Sequence, residues 1–369
     1  MQISKNILVA PLNWGLGHAT RCIPVVQAIL DNGDCPIVAS DGPALELLKK
    51  EFPDLLALEL PSYHIKYGAE GENLKLKLLK DSPKIWNAIR AEHKLLSHII
   101  HRYHLDGVIS DNRLGLYNAT IPCVIISHQL QVLSGGTTWL STQLHLHYIK
   151  KFHACWIPDH ENYPNLTGKL SLNTDSSLKK VYLGPISRFN ENGIKMHKYD
   201  LLILLSGPEP QRSIVEKKLL EQASTYNGRI LFIAGIVEST QTVHKKGNLT
   251  YHNFLSTEGL QKAMDRSEIV LCRSGYTSIM DLSALKKKAF FIPTPGQFEQ
   301  EYLAAHLEEQ NLAPFATQNN FEMSMLDRVK GYSGLGSLQE GRTDLGSLIA
   351  ATFSKVNENS DPIPSSLST

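Results

Sequence analysis

Short apolar runs alternate along this chain with longer stretches whose apolar residues recur at three- and four-residue spacing. The short runs are bounded by Gly, Pro, Asn and Asp, and their length suits buried strands rather than helices. In the first half, Asn6–Pro11, Pro36–Ser40, Gly107–Ser110, Cys123–Ser127 and Ala154–Pro158 read as strands. Helices are expected over Ala19–Leu30, Ala44–Lys50, Asp81–Tyr103 and Trp139–Phe152. Such alternation builds a parallel sheet covered by helices on both faces.

The rhythm stops between Asn162 and Lys180, a polar stretch without clear period, and restarts after Leu183-Gly184-Pro185. Strands are then expected at Leu201–Leu205, Ile230–Ala234, Ile269–Cys272 and Phe290–Pro293. The expected architecture is α/β: two doubly wound, Rossmann-like domains, 1–185 and 186–356, facing a central cleft, with a polar tail at 357–369. Ligands of such sheets bind outside the carboxyl ends of the strands.

The chain has 369 residues, enough for two cores, and is 42% hydrophobic and 20% charged. Its 37 basic and 36 acidic side chains leave a net charge of +1, which argues against a nucleic-acid partner. The five cysteines lack C-x-x-C spacing and suit buried free thiols in a reducing compartment. The first apolar run, Ile7–Ala10, is too short for a secretion signal, and no stretch reaches membrane-span length. A cytoplasmic protein is expected.

Three motifs carry candidate chemistry. The first is Asn13-Trp14-Gly15-Leu16-Gly17-His18-Ala19-Thr20-Arg21, between the first strand and first helix. Gly15 and Gly17 let backbone amides approach a ligand, and His18 has a side chain that exchanges protons near neutral pH. A helix-start histidine bonded to a carbonyl is the alternative. A related strand end is Ser110-Asp111-Asn112-Arg113, which is expected to face the same cleft.

The second motif is Cys272-Arg273-Ser274-Gly275-Tyr276-Thr277-Ser278-Ile279-Met280-Asp281, where a buried strand turns into a helix. Free N–H groups at a helix start favour a diphosphate, with Thr277 and Ser278 as hydroxyl donors and Asp281 placed for ribose hydroxyls; a plain Gly-containing turn with a surface Asp is the alternative. The third is Pro293-Thr294-Pro295-Gly296-Gln297-Phe298-Glu299-Gln300-Glu301-Tyr302, whose Gln300 and Glu301 suit vicinal sugar hydroxyls. An ordinary Glu-rich first helical turn is the alternative.

At these separations the motifs closely resemble the family 28 glycosyltransferases, most strongly from Leu201 to Ala313. The resemblance implies a GT-B fold, a UDP-sugar held mainly by the C-terminal domain, and inversion at the anomeric carbon. It implies that Ser274, Gly275, Tyr276 and Thr277 form the diphosphate loop, that Asp281 binds ribose, and that Gln300 and Glu301 reach the sugar. Ser206-Gly207 matches an inter-domain loop, although the family turn is longer and richer in glycine. Leu255 falls where backbone recognises uracil. Gly15, Gly17 and His18 match the acceptor-side loop, and His128-Gln129 falls at a histidine-glutamate-glutamine site with altered residues. An aspartate orients the base histidine in related plant-type enzymes, a role open to Asp111 here.

The expected reaction is metal-independent transfer from a UDP-sugar, with UDP-N-acetylhexosamine the favoured donor, to a hydroxyl acceptor such as a lipid-linked cell-envelope glycan. No D-x-D motif occurs and no cofactor is expected. Two alternatives stand beside it. Gly15-x-Gly17-His18 followed by Arg21 also resembles UDP-sugar hydrolases of nonulosonic acid biosynthesis, and a non-catalytic sugar-nucleotide sensor could use the same scaffold. Lys66, Lys75, Lys77, Lys80 and Lys84, interleaved with leucines, form either an anionic-membrane contact or a solvated helix face.

Overall fold

In the computed structural model, the described residues are 4–63, 74–132, 138–172, 175–191, 193, 197–236, 238, 240–338 and 343–354. The chain divides into two compact units. One comprises Met1–Tyr163, Lys169–Arg188 and Glu340–Thr369, and the other Pro164–Gly168 and Phe189–Gln339.

The first unit is built on β1 (Asn6–Pro11), β2 (Cys35–Ser40), β3 (Ala57–Glu59), β4 (Gly107–Asp111), β5 (Cys123–Ile126), β6 (Ala154–Ile157) and β7 (Lys180–Tyr182). They form a parallel sheet in the order β3-β2-β1-β4-β5-β6-β7. Order reverses beside β1, the switch at which doubly wound sheets open a binding crevice. Between the strands run α1 (Leu16–Asp31), α2 (Gly42–Glu51), α3 (Leu74–Tyr103) and α4 (Thr138–Ile149). Ile7, Leu8, Val9 and Ala10 are wholly buried, as strands covered on both faces require.

The second unit holds β8 (Tyr199–Leu204), β9 (Ile230–Ile233), β10 (Val243–Lys246), β11 (Leu249–His252), β12 (Ser267–Cys272) and β13 (Lys288–Phe291). Its sheet runs β10-β11-β9-β8-β12-β13 and is parallel except for the β10–β11 hairpin. The helices are α5 (Gln211–Gln222), α6 (Thr257–Asp265), α7 (Tyr276–Ala284) and α8 (Phe298–Glu309). Phe232, Phe290 and Phe321 fill its core, each contributing roughly 1.5–3 kcal/mol on burial.

One departure concerns the chain's last described helix, α9 (Leu345–Phe353), which belongs to the first unit rather than to a continuous second half. Asp344 caps it by accepting from the N–H groups of Gly346 and Ser347, and the Asn32 side chain donates to the Gly346 carbonyl at 2.8 Å. Phe353 lies so close over Gly107 that a Cβ there would sit 2.2 Å from its Cδ1, so β4 must begin with glycine. The tail 357–369, and Lys66 of the basic segment, lie outside the described residues, as do the side chains of Lys75, Lys77 and Lys80. Among the described residues no helix is long and apolar enough to cross a membrane. All five cysteines are free, four of them buried and Cys35 exposed.

Candidate functional site

The first cluster follows from strand register. Pro11 of β1 lies opposite Asp111 of β4, and the Leu12 N–H donates to the Asp111 carbonyl at 2.9 Å. Gly15, at φ 78°, supplies the left-handed turn that brings α1 back over this strand end. His18 and Arg21 then stand three residues apart on one helical face. His18 Nδ1 lies 2.9 Å from Asp111 Oδ1. Arg21 donates through Nε to Asp111 Oδ2 at 2.5 Å and through Nη2 to Oδ1. Its Nη2 also comes within 2.8 Å of His18 Nδ1, and its Nη1 within 3.3 Å of His128 Nδ1. Asp111 is wholly buried, whereas His18 keeps 14% of its side chain exposed.

Burial alone would raise the Asp111 carboxyl, but the Arg21 guanidinium and His18 hold it well below the usual range. Burial lowers the His18 imidazole; Asp111 opposes that shift, and Arg21 and His128 reinforce it. An ionised Asp111 accepting from His18 Nδ1–H leaves Nε2 with its lone pair, the form needed to take a proton. Arg21 competes for the same Nδ1. His145 of α4, which the sequence reading passed over, joins this group: burial and His128 pull it down to about 4. Its position in Leu144-His145-Leu146-His147 carries no signal that separates it from its neighbour.

The other residues expected on this side divide into two sets. Asn13 donates to Asp41 at 3.1 Å, Gln129 is half-buried beyond β5, and Asn112 sits at φ 58° with its Oδ1 buried and unpartnered. Arg113 corrects the expectation of an acceptor contact. It is wholly buried, donating to the Pro11 and Pro61 carbonyls, to Glu92 at 2.6 Å and to Asp41. Tyr63 completes the network by donating to Glu92 at 2.7 Å. Arg113 therefore braces the ends of β1, β2 and β4.

In the second unit, β8, β12 and β13 end level, with Cys272 in register with Leu204 and Phe291. The loops beyond them are neighbours. Ser206 and Gly207 are exposed, and Gly207 takes φ 109°. Gly275 precedes α7 without a side-chain cap, leaving open space where its Cβ would lie. Thr277 is half-buried on the first turn, while Tyr276 and Asp281 are buried. Ser274 Oγ donates to the Gln300 carbonyl at 2.7 Å. Gln300 accepts from the Thr294 N–H at 2.9 Å and donates to Gln297, and Glu301 accepts from the Gly296 N–H at 2.9 Å. Both side chains thus hold their own loop. Leu255 is half-buried just before α6.

Arg273 differs from the expected donor contact. It is buried, donating to the Ile292, Pro293 and Gln211 carbonyls and to Gln318 at 2.7 Å. Its guanidinium locks the loops after β12 and β13 together.

The family model of the glycosyltransferase family 28 C-terminal domain matches residues 211–330. The match takes in about a third of the chain. The matched stretch contains both helix starts described for the second unit, α7 and α8. A UDP-N-acetylglucosamine–N-acetylmuramyl-(pentapeptide) pyrophosphoryl-undecaprenol N-acetylglucosamine transferase of Glaesserella parasuis is 24% identical over 164 residues. That alignment takes in 40% of this chain and 44% of the relative, so the chain spans less than half of that relative's length. Acinetobacter baumannii MurG superposes with a TM-score of 0.56 at 13% identity, covering 95% of this chain and 99% of MurG. The Streptomyces sp. glycosyltransferase SsfS6, complexed with thymidine diphosphate, gives 0.60 at 11% identity, with coverages of 94% and 99%. The fold is GT-B, and the segment matched by the family model lies within the second of its two Rossmann-like units.

Proposed function

We propose that this protein is an inverting, metal-independent glycosyltransferase that moves a sugar from a UDP-sugar, with UDP-N-acetylhexosamine the favoured donor, to a hydroxyl acceptor. The observation that carries the reading is the contact of His18 Nδ1 with the buried Asp111 carboxylate at 2.9 Å. His18 Nε2 takes the acceptor hydroxyl's proton as the oxygen attacks C1. The bond from C1 to the phosphate oxygen breaks, and its electron pair leaves with UDP. The uncapped start of α7 offers N–H groups and a positive helix end to that developing charge. Asp281 serves the ribose, Gln300 and Glu301 the sugar, and no metal or cofactor takes part.

The donor class is supported by the family 28 domain and by the Glaesserella relative's name. That name also favours a lipid-linked acceptor, and such an acceptor would bring the protein to a membrane surface. His18→Ala tests the reading. Turnover falls roughly 10²–10⁴-fold, the range for a positioned acid–base group, while UDP affinity by calorimetry stays within about twofold. Near-normal turnover with a lower melting temperature would make His18 a structural residue and end the proposal.

A second reading, UDP-sugar hydrolysis, draws on Arg21 beside His18. Release of UDP and free sugar from the donor without acceptor, as fast as any transfer, would favour it.

A further inference from the structure

Buried hydroxyls almost always find a partner, because leaving one unmade forfeits its hydrogen bond to water. Thr294, two residues beyond β13's flanking Ile292, is an exception. It is 2% exposed, and its Oγ1 has no hydrogen-bond partner among the described residues. Its backbone is fixed, since its N–H donates to Gln300 Oε1.

The surroundings show where this hydroxyl is directed. A Cβ built on Gly207 would meet nothing within 4 Å except Thr294 Oγ1, at 4.0 Å. Gly207 and the unused hydroxyl are therefore neighbours across the two loops. Gly275, on the neighbouring loop, likewise faces open space at the uncapped α7 start. The third neighbour is a cation. Arg273 is buried, its Nε lacks a partner, and among the described residues no carboxylate pairs with it. A buried cation bonded only to carbonyl and amide oxygens leaves an uncompensated positive charge beside this space.

An orphaned hydroxyl, a helix start and an uncompensated guanidinium side by side suit one ligand chemistry, an anion with several acceptor oxygens. We propose that the Thr294 hydroxyl donates to a non-bridging oxygen of a nucleoside diphosphate, and so distinguishes the diphosphate from the bare nucleoside. The inference rests on the donor reading above and adds to it a residue outside the expected site. Gly207 and Gly275 admit the phosphate because neither carries a side chain into the space. Arg273 contributes field rather than contact, its hydrogen bonds being committed to the loops.

The isosteric variant Thr294→Val separates the possibilities by calorimetry with UDP and with uridine. UDP affinity should fall roughly tenfold, as for a lost bond to a charged group, while uridine affinity stays within about twofold. Thr294→Ser should restore UDP binding to within about threefold. The unliganded melting temperature of Thr294→Val should hold or rise, since an unpartnered hydroxyl has been removed. Unchanged UDP affinity overturns the inference, as does an equal loss for UDP and uridine. A drop in melting temperature with UDP affinity intact would mean that the hydroxyl serves the fold through water. Inorganic pyrophosphate makes the two levels distinguishable. If the unmodified protein binds neither UDP nor pyrophosphate, the donor reading itself fails; if it binds pyrophosphate and Thr294→Val binds it equally well, only the Thr294 assignment fails.

Discussion

Arg21 meets Asp111 with two N–H groups, one on each carboxylate oxygen, and one of those oxygens is also 2.9 Å from His18. The cation neutralises the carboxylate that would otherwise favour a protonated imidazole. Burial, the larger cause, and Arg21 together lower the His18 imidazole, while Arg21 and His18 hold the Asp111 carboxyl down against burial.

The pH dependence follows with a definite sign. Both groups bind protons less readily in the folded chain, so their stability is fully present above the ordinary imidazole value of 6.5. It is lost progressively as pH falls, first through the His18 contribution and then through that of Asp111. In the pH–rate profile the acidic limb should lie below 6.5, and Arg21→Lys should keep it there. Arg21→Gln removes the charge and should move the limb, and the His18 titration seen by NMR, to higher pH. An unmoved titration in Arg21→Gln would show that burial alone sets the imidazole.

Asp281 is buried within α7, beyond its uncapped first turn. Asp281→Ala should weaken UDP binding by roughly 1–3 kcal/mol, the range for a lost charged hydrogen bond. Calorimetry giving the unmodified affinity would remove it from the donor site.

Arg113 lies among Glu92 and Asp41 with its own side chain wholly buried. Arg113→Met strands both carboxylates and should destabilise the fold by about 3–5 kcal/mol, measured by denaturant titration. Adding Glu92→Gln and Asp41→Asn should recover part of the loss. A single variant as stable as the unmodified protein would contradict the bracing role.

On the proposed mechanism, in which a helix start rather than a divalent ion would serve the leaving diphosphate, turnover should survive EDTA. Activity that vanished with chelator and returned with Mg²⁺ or Mn²⁺ would refute this.

Much of the fold was legible because most strands are continuous apolar runs. Asn6–Pro11 matches β1, and the ends of β4, β5, β9 and β12 fall within a residue or two of expectation. The β10–β11 hairpin was not legible. All four residues of β10 are exposed, so Val243-His244-Lys245-Lys246 has no apolar pattern and is a strand only through pairing with β11. The closeness of His18 and Asp111 was readable from their places at a helix start and a strand end. The roles of Arg113 and Arg273 were not, since an arginine in a loop looks alike whether it faces solvent or is enclosed by carbonyls. His18 and Arg21 at a three-residue helical spacing did offer a hint of their pairing. Thr294 offered none, because an absent partner leaves no trace in a sequence.

The return of α9 to the first unit has a consequence for how the protein is made. Phe353 caps the start of β4, and Ile349 is buried on the same helix. The unit that begins first during synthesis is therefore the last to be finished. A ribosome must pass the whole second unit, and α9 must itself leave the exit tunnel, before the Gly107 surface can be covered. A chain stalled or cut before Leu345 leaves that apolar surface bare on an otherwise folded sheet, a ready target for chaperones and proteases.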